Sequence, residues 1–563
     1  MFSPFKAYSN VQGFVGFINC FNEFFKIDVL DLDNEKIVKE FMYQSKDAEL
    51  LINQFSTTNN NKNIFKAFIV DLFNISPNES YQTGYKLCEK LREKFNELKI
   101  PSYFISEENY LFSCLLIGSQ MTLKYDEIVL IILPSIAIKN SISKLQYVVG
   151  EFQFTPNGYK LKSMKTLDSV NPKENPNILF QEFCGSSIPK KVLVSTACCK
   201  KIVAFKKIFK PKILTLLHQG ILSFTEKFIV ETYKWMLDKS YIKYYILPTC
   251  TRNIHAFGDY GSKENILDLF KVNVNDPLPI RKTASFTKSV REISFFRSRF
   301  SVFNFAAATF EPNFLAYENK YAKYCYGSSL SKNCHGYDIT LKIDEENFEL
   351  LELEQYTLKA VEDLPTKMKI LLKSKIPFIG FYDNSSVIGV YKDSENGYKF
   401  LDEWNGMFGN DCFISFDQKR PKFGQPAMDT LKTKNTFVVF DLIKIMSMPP
   451  ENIQIDKAWG FTFTKDNENP LLLKFDNFDG TKKSSSPSFL MAMFLRQHLK
   501  AIEKKVGEKP KEIALWIFDK DFNENEIKRI KEGLKESCRL LKLDVYFVDS
   551  ESSKVDFVIY STN

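Results

Sequence analysis

The chain has 563 residues, 44% hydrophobic and 26% charged, which supplies both a buried core and a wetted surface and excludes a disordered chain. Gly and Pro number only 22 each, which excludes collagen-like and linker-rich classes. A formal charge of +8 is mild for this length and demands no nucleic-acid partner.

From the N-terminus, Phe14 to Phe25 is apolar but carries Asn19, Asn22 and Glu23, a poor signal peptide. Lys66 to Phe73 reads as a strand, Tyr81 to Leu98 as a helix and Tyr103 to Ile105 as another strand. Ile128 to Leu133 reads as a buried strand. The apolar stretch to Ile138 is broken by Pro134 and Ser135 and falls short of the ~20 residues of a spanning helix. Val148 to Thr155 and Gly158 to Met164 form a hairpin around Pro156-Asn157. Helices are expected over Val192 to Ile208 and Thr225 to Asp238, with a strand at Tyr244 to Leu247. Tyr337, Ile339, Leu341 and Ile343 alternate strictly, and Asp344 to Asn347 turn the chain before Phe348 to Leu353. Strands and helices alternate again from Ile376 onward. Three units are therefore expected, at 1–285, 286–375 and 376–563, in a chain of cytoplasmic or nuclear location without a membrane span.

Side-chain chemistry is sparse. The eleven cysteines are odd in number and contain no Cys-x-x-Cys pair, and His218, His255, His335 and His498 are scattered. No metal site and no Ser/His/Asp constellation is expected. Between Phe183 and Thr225 there are eight Lys and no acid, favouring a solvated helix face over an anion-binding one. Internal repetition is the stronger signal. Leu91-Arg92-Glu93 and Leu98 to Ile105 recur as Leu534-Lys535-Glu536 and Leu541 to Val548. Phe68-Ile69-Val70 matches Ile513-Ala514-Leu515, and Val15-Gly16-Phe17 matches Ile379-Gly380-Phe381.

Several of these segments resemble the ATPase domain of the seventy-kilodalton heat-shock chaperone family, of the actin-like superfold. Ile379 to Ser386 resembles that family's first phosphate hairpin, Phe423 to Ala427 its Ile-Gly-Asp-Ala-Ala step, and Thr436 to Ile445 its Thr-Val-Phe-Asp-Ala-Lys-Arg-Leu segment. Ile105-Ser106-Glu107-Glu108 is similar to Ile-Asn-Glu-Pro, Ser195 to Cys198 to Arg-Thr-Ala-Cys, and Ile246 to Arg252 to Val-Gly-Gly-Ser-Thr-Arg. The resemblance implies an α/β chain with a shortened two-lobed domain over 1–285. It also implies a β-rich, peptide-binding-like domain over 286–375 and a partial second copy, of the first lobe only, over 376–563.

The resemblance also implies ATP and magnesium as ligands, with Glu107, Thr251, Arg252, Ser385 and Ser386 as the surviving contacts. Against it, the Asp and Gly of the first hairpin are replaced, as Ile18 and Cys20 in one copy and as Tyr382 and Asn384 in the other. The catalytic Lys position falls on Ile443. The second phosphate hairpin, placed at Leu133 to Ala137, lacks every Gly that would admit backbone N–H groups to a phosphate, and Cys199, Ile202 and Val203 replace the charged nucleoside contacts. The expected function is thus a degenerate, pseudo-ATPase chaperone relative that binds or scaffolds unfolded or partner polypeptides, including other chaperones, with no membrane or nucleic-acid partner. The alternatives are an active ATP-dependent chaperone with unusual ligands and another actin-superfold kinase. With the ligand lost, the cleft is expected to be narrow and apolar, lined by Ile18, Leu133, Ile202 and Val203.

Overall fold

The computed structural model describes residues 13–21, 24–48, 52, 64–75, 83–139, 142–168, 174–196, 202–259, 266–290, 292–299, 330–518, 520, 522–548 and 555–558. It is a mixed α/β chain with several sheets. No helix among the described residues is long and apolar enough to cross a membrane.

The first sheet contains β1 (Phe14–Phe21), β2 (Phe24–Asp31), β3 (Lys36–Gln44), β4 (Phe65–Asp71) and β5 (Ser102–Phe104), in the order β3-β2-β1-β4-β5. β1 to β3 form an antiparallel meander, while β4 lies parallel to β1 and β5 parallel to β4. β4 is apolar on both faces because both are covered. Leu87, Cys88, Leu91 and Phe95 of α1 (Gly84–Leu98) pack on Phe14, Ile18, Phe68 and Val70. The other face meets α2 (Glu107–Ser119).

The second sheet repeats this connectivity. Its strands β6 (Ile128–Lys139), β7 (Ile142–Thr155), β8 (Gly158–Asp168), β9 (Lys191–Ser195) and β10 (Leu214–Leu217) lie in the order β10-β9-β6-β7-β8. α3 (Pro176–Cys184) and α4 (Ile202–Ile208) cover its outer face. α2 and α5 (Thr225–Leu237) share one core with Val15, Phe17 and Ile69 of the first sheet and Val129, Ile131 and Leu193 of the second. α2 is apolar nearly all round because sheets lie on both sides of it.

Six strands follow: β11 (Arg252–Asp259), β12 (Ile266–Val272), β13 (Ile280–Thr287), β14 (Glu292–Arg299), β15 (Gly336–Ile343) and β16 (Glu349–Tyr356). They form two three-stranded sheets, β12-β11-β14 and β13-β15-β16. Both sheets share a core that includes Ile254, Phe286, Ile293, Tyr337, Ile339 and Leu341. The expected boundary at 285 falls inside β13. The β-rich unit begins at Arg252, and its hydrophobic alternation at Tyr337 to Ile343 points inward as expected.

The C-terminal unit opens with α6 (Leu364–Leu371), then β17 (Phe378–Tyr382), β18 (Ser385–Lys392) and β19 (Gly397–Phe400). After α7 (Leu442–Ser447) and α8 (Pro487–Val506) come β20 (Glu512–Ile517), α9 (Glu524–Leu540), β21 (Asp544–Val548) and β22 (Val555–Val558). The sheet runs β19-β18-β17-β20-β21-β22. Apart from β22, this is the connectivity of the first two sheets. α8 and α9 cover one face, and α6 covers the other over Phe378, Tyr382 and Trp516.

Register refines the expected repeat. Ile69 pairs with Tyr103, and Ala514 with Tyr546, so the two Tyr occupy matching sites. Gly16 and Gly380 lie in matching strands but on opposite faces. A Cβ on Gly16 would meet the Phe68 ring at 2.3 Å on the α1 side, whereas one on Gly380 would meet Leu364 at 3.0 Å and Trp516 at 3.2 Å on the α6 side. Phe21 pairs with Phe24 and Tyr382 with Ser385, so residues 22–23 match 383–384 as hairpin turns. Gly16 then matches Pro377, and Ile18 and Cys20 are not the counterparts of Tyr382 and Asn384. An odd shift exchanges the faces of a strand.

Three local expectations also change. Val192 to Ile208 is a strand followed by a short helix rather than one helix. Tyr244 to Leu247 makes a single bridge, between Ile246 and Tyr159. Leu133 to Ala137 is no hairpin but the middle of β6, paired from Leu133 with Val148 to Ala137 with Lys144. The turn itself, 140–141, lies outside the described residues. Pro134 is tolerated there because β9 pairs with β6 only from Val129 to Ile132, so beyond that point the missing N–H costs no ladder bond.

Because the two glycines face opposite sides of their sheets, two similar substitutions are expected to differ in cost. Gly16→Ala forces a methyl into the Phe68 ring and lowers stability in urea unfolding by about 1–3 kcal/mol. Gly380→Ala, with neighbours at 3.0 Å or more, costs less. Equal losses would contradict the assignment of the two glycines to opposite faces.

Candidate functional site: the junctions at the strand ends

The hairpin between β17 and β18 is a tight turn with Asp383 at φ 45°. Asn384 holds it in place: its Oδ1 accepts the Asp441 N–H at 2.9 Å, and its carbonyl accepts the Cys412 N–H at 2.8 Å. Asp441 is itself half-buried against Trp459, whose indole N–H donates at 2.9 Å, and desolvation pushes its carboxyl up to about 6.

Ser385 and Ser386 follow the turn, both buried. The Ser385 hydroxyl donates to Asp411 Oδ1 at 3.0 Å. Ser386 Oγ lies 2.8 Å from His498 Nε2 and accepts the Trp404 indole N–H at 3.2 Å. His498 Nδ1 lies 3.0 Å from the Phe494 carbonyl, so Nδ1 carries the proton and Nε2 accepts from Ser386. Full burial pushes His498 down to about 3, so it is neutral. This serine–histidine pair has no exposed face and acts as a core hydrogen bond, consistent with an isolated His placed on the apolar face of α8.

The β-rich unit docks on the same hairpin. Ser289 donates to Asp411 Oδ1 at 3.0 Å, and Lys332 pairs with Asp411 Oδ2 at 3.3 Å. Lys288 is buried and donates to the Gly409 carbonyl at 2.8 Å and to the Phe408 carbonyl. Desolvation pushes its ammonium below the ordinary lysine value, opposed by Asp411. His335 accepts the Leu358 N–H on Nδ1 at 2.7 Å and donates from Nε2 to the Met407 carbonyl at 2.9 Å. Its ring meets Tyr382 edge-on at 5.0 Å, and burial holds it below the usual histidine value.

A second junction joins the β-rich unit to α1 and β5. The Arg252 guanidinium lies 3.5 Å from the Tyr85 ring centroid, pairs with Glu349 at 2.9 Å and donates to the Asn347 carbonyl at 3.0 Å. Arg297 binds Glu349 as well, at 2.7 Å from Nη2. Burial alone would raise the Glu349 carboxyl, but the two arginines hold it below the ordinary value. Thr251 N–H donates to Asn347 Oδ1 at 3.0 Å, and its hydroxyl contacts the Tyr85 hydroxyl. The tip of the β15–β16 hairpin enters the first sheet's core, where Phe348 packs on Phe73 and Phe104 under the Arg92 guanidinium. Beside it, Glu346 accepts the Phe104 N–H at 3.2 Å. Desolvation pushes Glu346 up to about 7 despite Arg92 and Lys239 nearby.

Glu107 opens α2 and contacts the Asn74 amide. The N-cap itself is Ser106, whose hydroxyl accepts the Asn109 N–H at 3.2 Å. The five residues expected to contact nucleotide therefore fall into three separate settings: Ser385 and Ser386 at one junction, Thr251 and Arg252 at another, and Glu107 at a helix start. Sequence reasoning missed Asp411, Ser289, Lys288 and Glu349. Each is a common surface residue type, and no spacing marks it as buried.

The cleft expectation also needs correction. Ile18 is buried beneath α1 and Leu133 in the core between the sheets, but Val203 is 67% exposed on α4. The Ile202 side chain lies outside the described residues. Asn19, Asp71 and Ser195, at or near the ends of β1, β4 and β9, and Ser135 within β6 are buried polar side chains, not an apolar lining. Among the described residues, no group of three or more His, Cys, Asp or Glu is placed to hold a metal ion. No protein-family model matches the chain, and no curated protein matches it.

Glu346 predicts a pH dependence. Its folded value lies above the ordinary 4.5, so ionising it opposes folding, with a penalty that grows from pH ~4.5 to ~7 and then levels off. Glu346→Gln is expected to stabilise the protein by about 1–2 kcal/mol at pH 8, after allowance for partial exposure, and by less at pH 5. Thermal unfolding at the two pH values measures the difference.

Proposed function

We propose that this chain is a divergent relative of the seventy-kilodalton heat-shock chaperones that keeps an actin-like architecture as a nucleotide-independent scaffold for binding polypeptides. Two sheets of one connectivity around shared helices support the reading of a two-lobed domain. A third such sheet supports a single additional lobe, and the six-stranded unit supports the resemblance to a peptide-binding β domain.

One observation carries the reading away from ATP turnover. Groups that the resemblance assigns to nucleotide are engaged by the protein: Ser385 by Asp411, Ser386 by His498 and Trp404, and Arg252 by Glu349 and Tyr85. A phosphate at the β17–β18 hairpin would compete with the buried Asp411 carboxylate, and like charges exclude one another in a dry site. Each hydrogen bond that a phosphate fails to make weakens binding by ~1–3 kcal/mol, and ~4 kcal/mol is about a thousandfold.

Calorimetric titration with magnesium-ATP is expected to give a dissociation constant weaker than ~100 μM, with no shift in thermal midpoint. Light scattering from a denatured client protein is expected to fall when this chain is added, equally with and without magnesium-ATP. Micromolar ATP binding would favour the active-chaperone alternative, and unchanged client aggregation would overturn polypeptide binding.

A further inference from the structure

The second sheet turns one face to the core it shares with α2 and α5, while α3 and α4 cover the other. That outer layer is strongly basic. Between Lys190 and Lys212 the chain carries eight Lys and neither an acid nor an Arg. Six of them lie among the described residues: Lys190, Lys191, Lys206, Lys207, Lys210 and Lys212. Local structure gathers these six into one band. Ala204, Phe205 and Ile208 turn one side of α4 inward, and residues three or four apart share a helix face. Val203, Lys206 and Lys207 are therefore exposed together, with Lys210 just beyond them. The chain then turns into β10, where Lys191 Nζ donates to the Lys212 carbonyl at 3.2 Å. That contact sets the start of β9, with Lys190 and Lys191, beside the end of the helix.

We propose that this layer is a peripheral membrane-binding surface, whose lysines contact anionic phospholipid headgroups while Ile188 and Val203 enter the headgroup region. Ile188 is 89% exposed, two residues before Lys190, and Val203 is 67% exposed near the start of α4. Single exposed apolar residues are ordinary. Here they flank a band of cations that the protein leaves largely unneutralised. Among the described residues, Lys206, Lys207, Lys210 and Lys212 take part in no ion pair, and Lys190 meets Glu127 at 3.1 Å. A face built only for solvent intersperses charges of both signs. Clusters of about four to eight lysines on a helical surface draw it to an anionic leaflet, at about fivefold in affinity per lysine. Apolar side chains beside them add a contribution that salt does not screen.

The composition of the band favours lipid over other polyanions. Nucleic acids are held by Arg forks and exposed aromatic rings. This stretch has no Arg, and its Phe205 and Phe209 are buried against Phe183. Protein interfaces are enriched in Arg and aromatic residues and depleted in Lys. A lysine ammonium is a hydrated point charge on a flexible stem, which suits a fluid surface whose phosphates hold no fixed positions. α4 presents the solvated face expected from the sequence, and its charge of one sign gives that face a further use. The inference departs from the expected absence of a membrane partner. It rests on exposed side chains and stands apart from the chaperone resemblance.

Co-flotation of the full chain with lipid vesicles, at low and high salt, tests this. The wild-type chain is expected to float with vesicles containing phosphatidylserine but not with pure phosphatidylcholine, and to lose binding as salt screens the charges. Lys206→Glu/Lys207→Glu/Lys210→Glu/Lys212→Glu is expected to weaken binding at least ~100-fold, from four contacts of about fivefold each. Lys419→Glu/Lys432→Glu/Lys457→Glu/Lys465→Glu makes the same change in net charge at exposed positions of the C-terminal unit. It is expected to bind much more nearly like wild type. Ile188→Ser is expected to weaken binding severalfold while leaving its salt dependence unchanged. A wild-type chain that fails to float with phosphatidylserine vesicles, or equal losses in the two quadruple variants, would overturn the proposal. Tighter binding of the wild type to a single-stranded oligonucleotide than to those vesicles would overturn the choice of lipid in favour of nucleic acid.

Discussion

Asp411 is a buried carboxylate whose partners come from two units of the chain. Ser385 belongs to its own sheet, while Ser289 and Lys332 come from the β-rich unit. Removing an ionised carboxylate from water costs several kcal/mol unless its lone pairs and charge are met. The C-terminal unit therefore meets that cost only when the β-rich unit is seated on it. At the opposite end Glu349 is met within the β-rich unit by Arg252 and Arg297, and the contact with the first unit is made by Arg252 over the Tyr85 ring of α1 and by Arg92 on Asp344. The β-rich unit thus works as a wedge with a charged anchor at each end.

This arrangement gives the polar residues at the strand ends a structural occupation. In open α/β sheets, the carboxyl ends of parallel strands are where ligands bind, because N–H groups and chain reversals collect there. Here the tip of the β15–β16 hairpin inserts Phe348 at the end of β5, and the Lys288-Ser289 segment covers the turn after β17. Regions that a ligand would enter are filled by the protein's own chain. The apolar contacts at Phe348 supply cohesion, while the buried charges fix orientation.

Much of the fold was legible in the sequence because hydrophobic period is a direct record of burial. The strand at Lys66 to Phe73, the helix at Thr225 to Asp238 and the hairpin around Pro156-Asn157 are all present with small shifts at their ends, and the repeat correctly pairs Tyr103 with Tyr546. The failures have physical reasons. Val192 to Ile208 is almost uniformly apolar or basic and has no Gly or Pro to mark the change from strand to helix. Gly16 and Gly380 invited an alignment by residue type, but hairpin geometry sets the register. The resemblance placed a hairpin at Leu133 to Ala137, yet this is continuous strand, and Pro134 lies where β6 has lost its second neighbour. The junctions were hardest to see. Asp411 and Ser289 are distant in sequence and meet only where two units dock, and Glu349 meets Arg252 and Arg297 only across the strands of the β-rich unit. Thr251, Arg252, Ser385 and Ser386 were singled out as nucleotide contacts, and in the structure they make contacts with the protein itself.

On this account the β-rich unit, through the Asp411 cluster at one end and the Glu349-held Arg252 on Tyr85 at the other, unites the flanking units into one cooperative body. Differential scanning calorimetry of the full chain tests it most directly, beside the double variant Asp411→Ala/Glu349→Ala. The account predicts a single transition for the wild type, with calorimetric and van't Hoff enthalpies in agreement, and its separation into two or more transitions in the variant. Separate transitions already present in the wild-type chain, or one undivided transition that survives loss of both carboxylates, would contradict it.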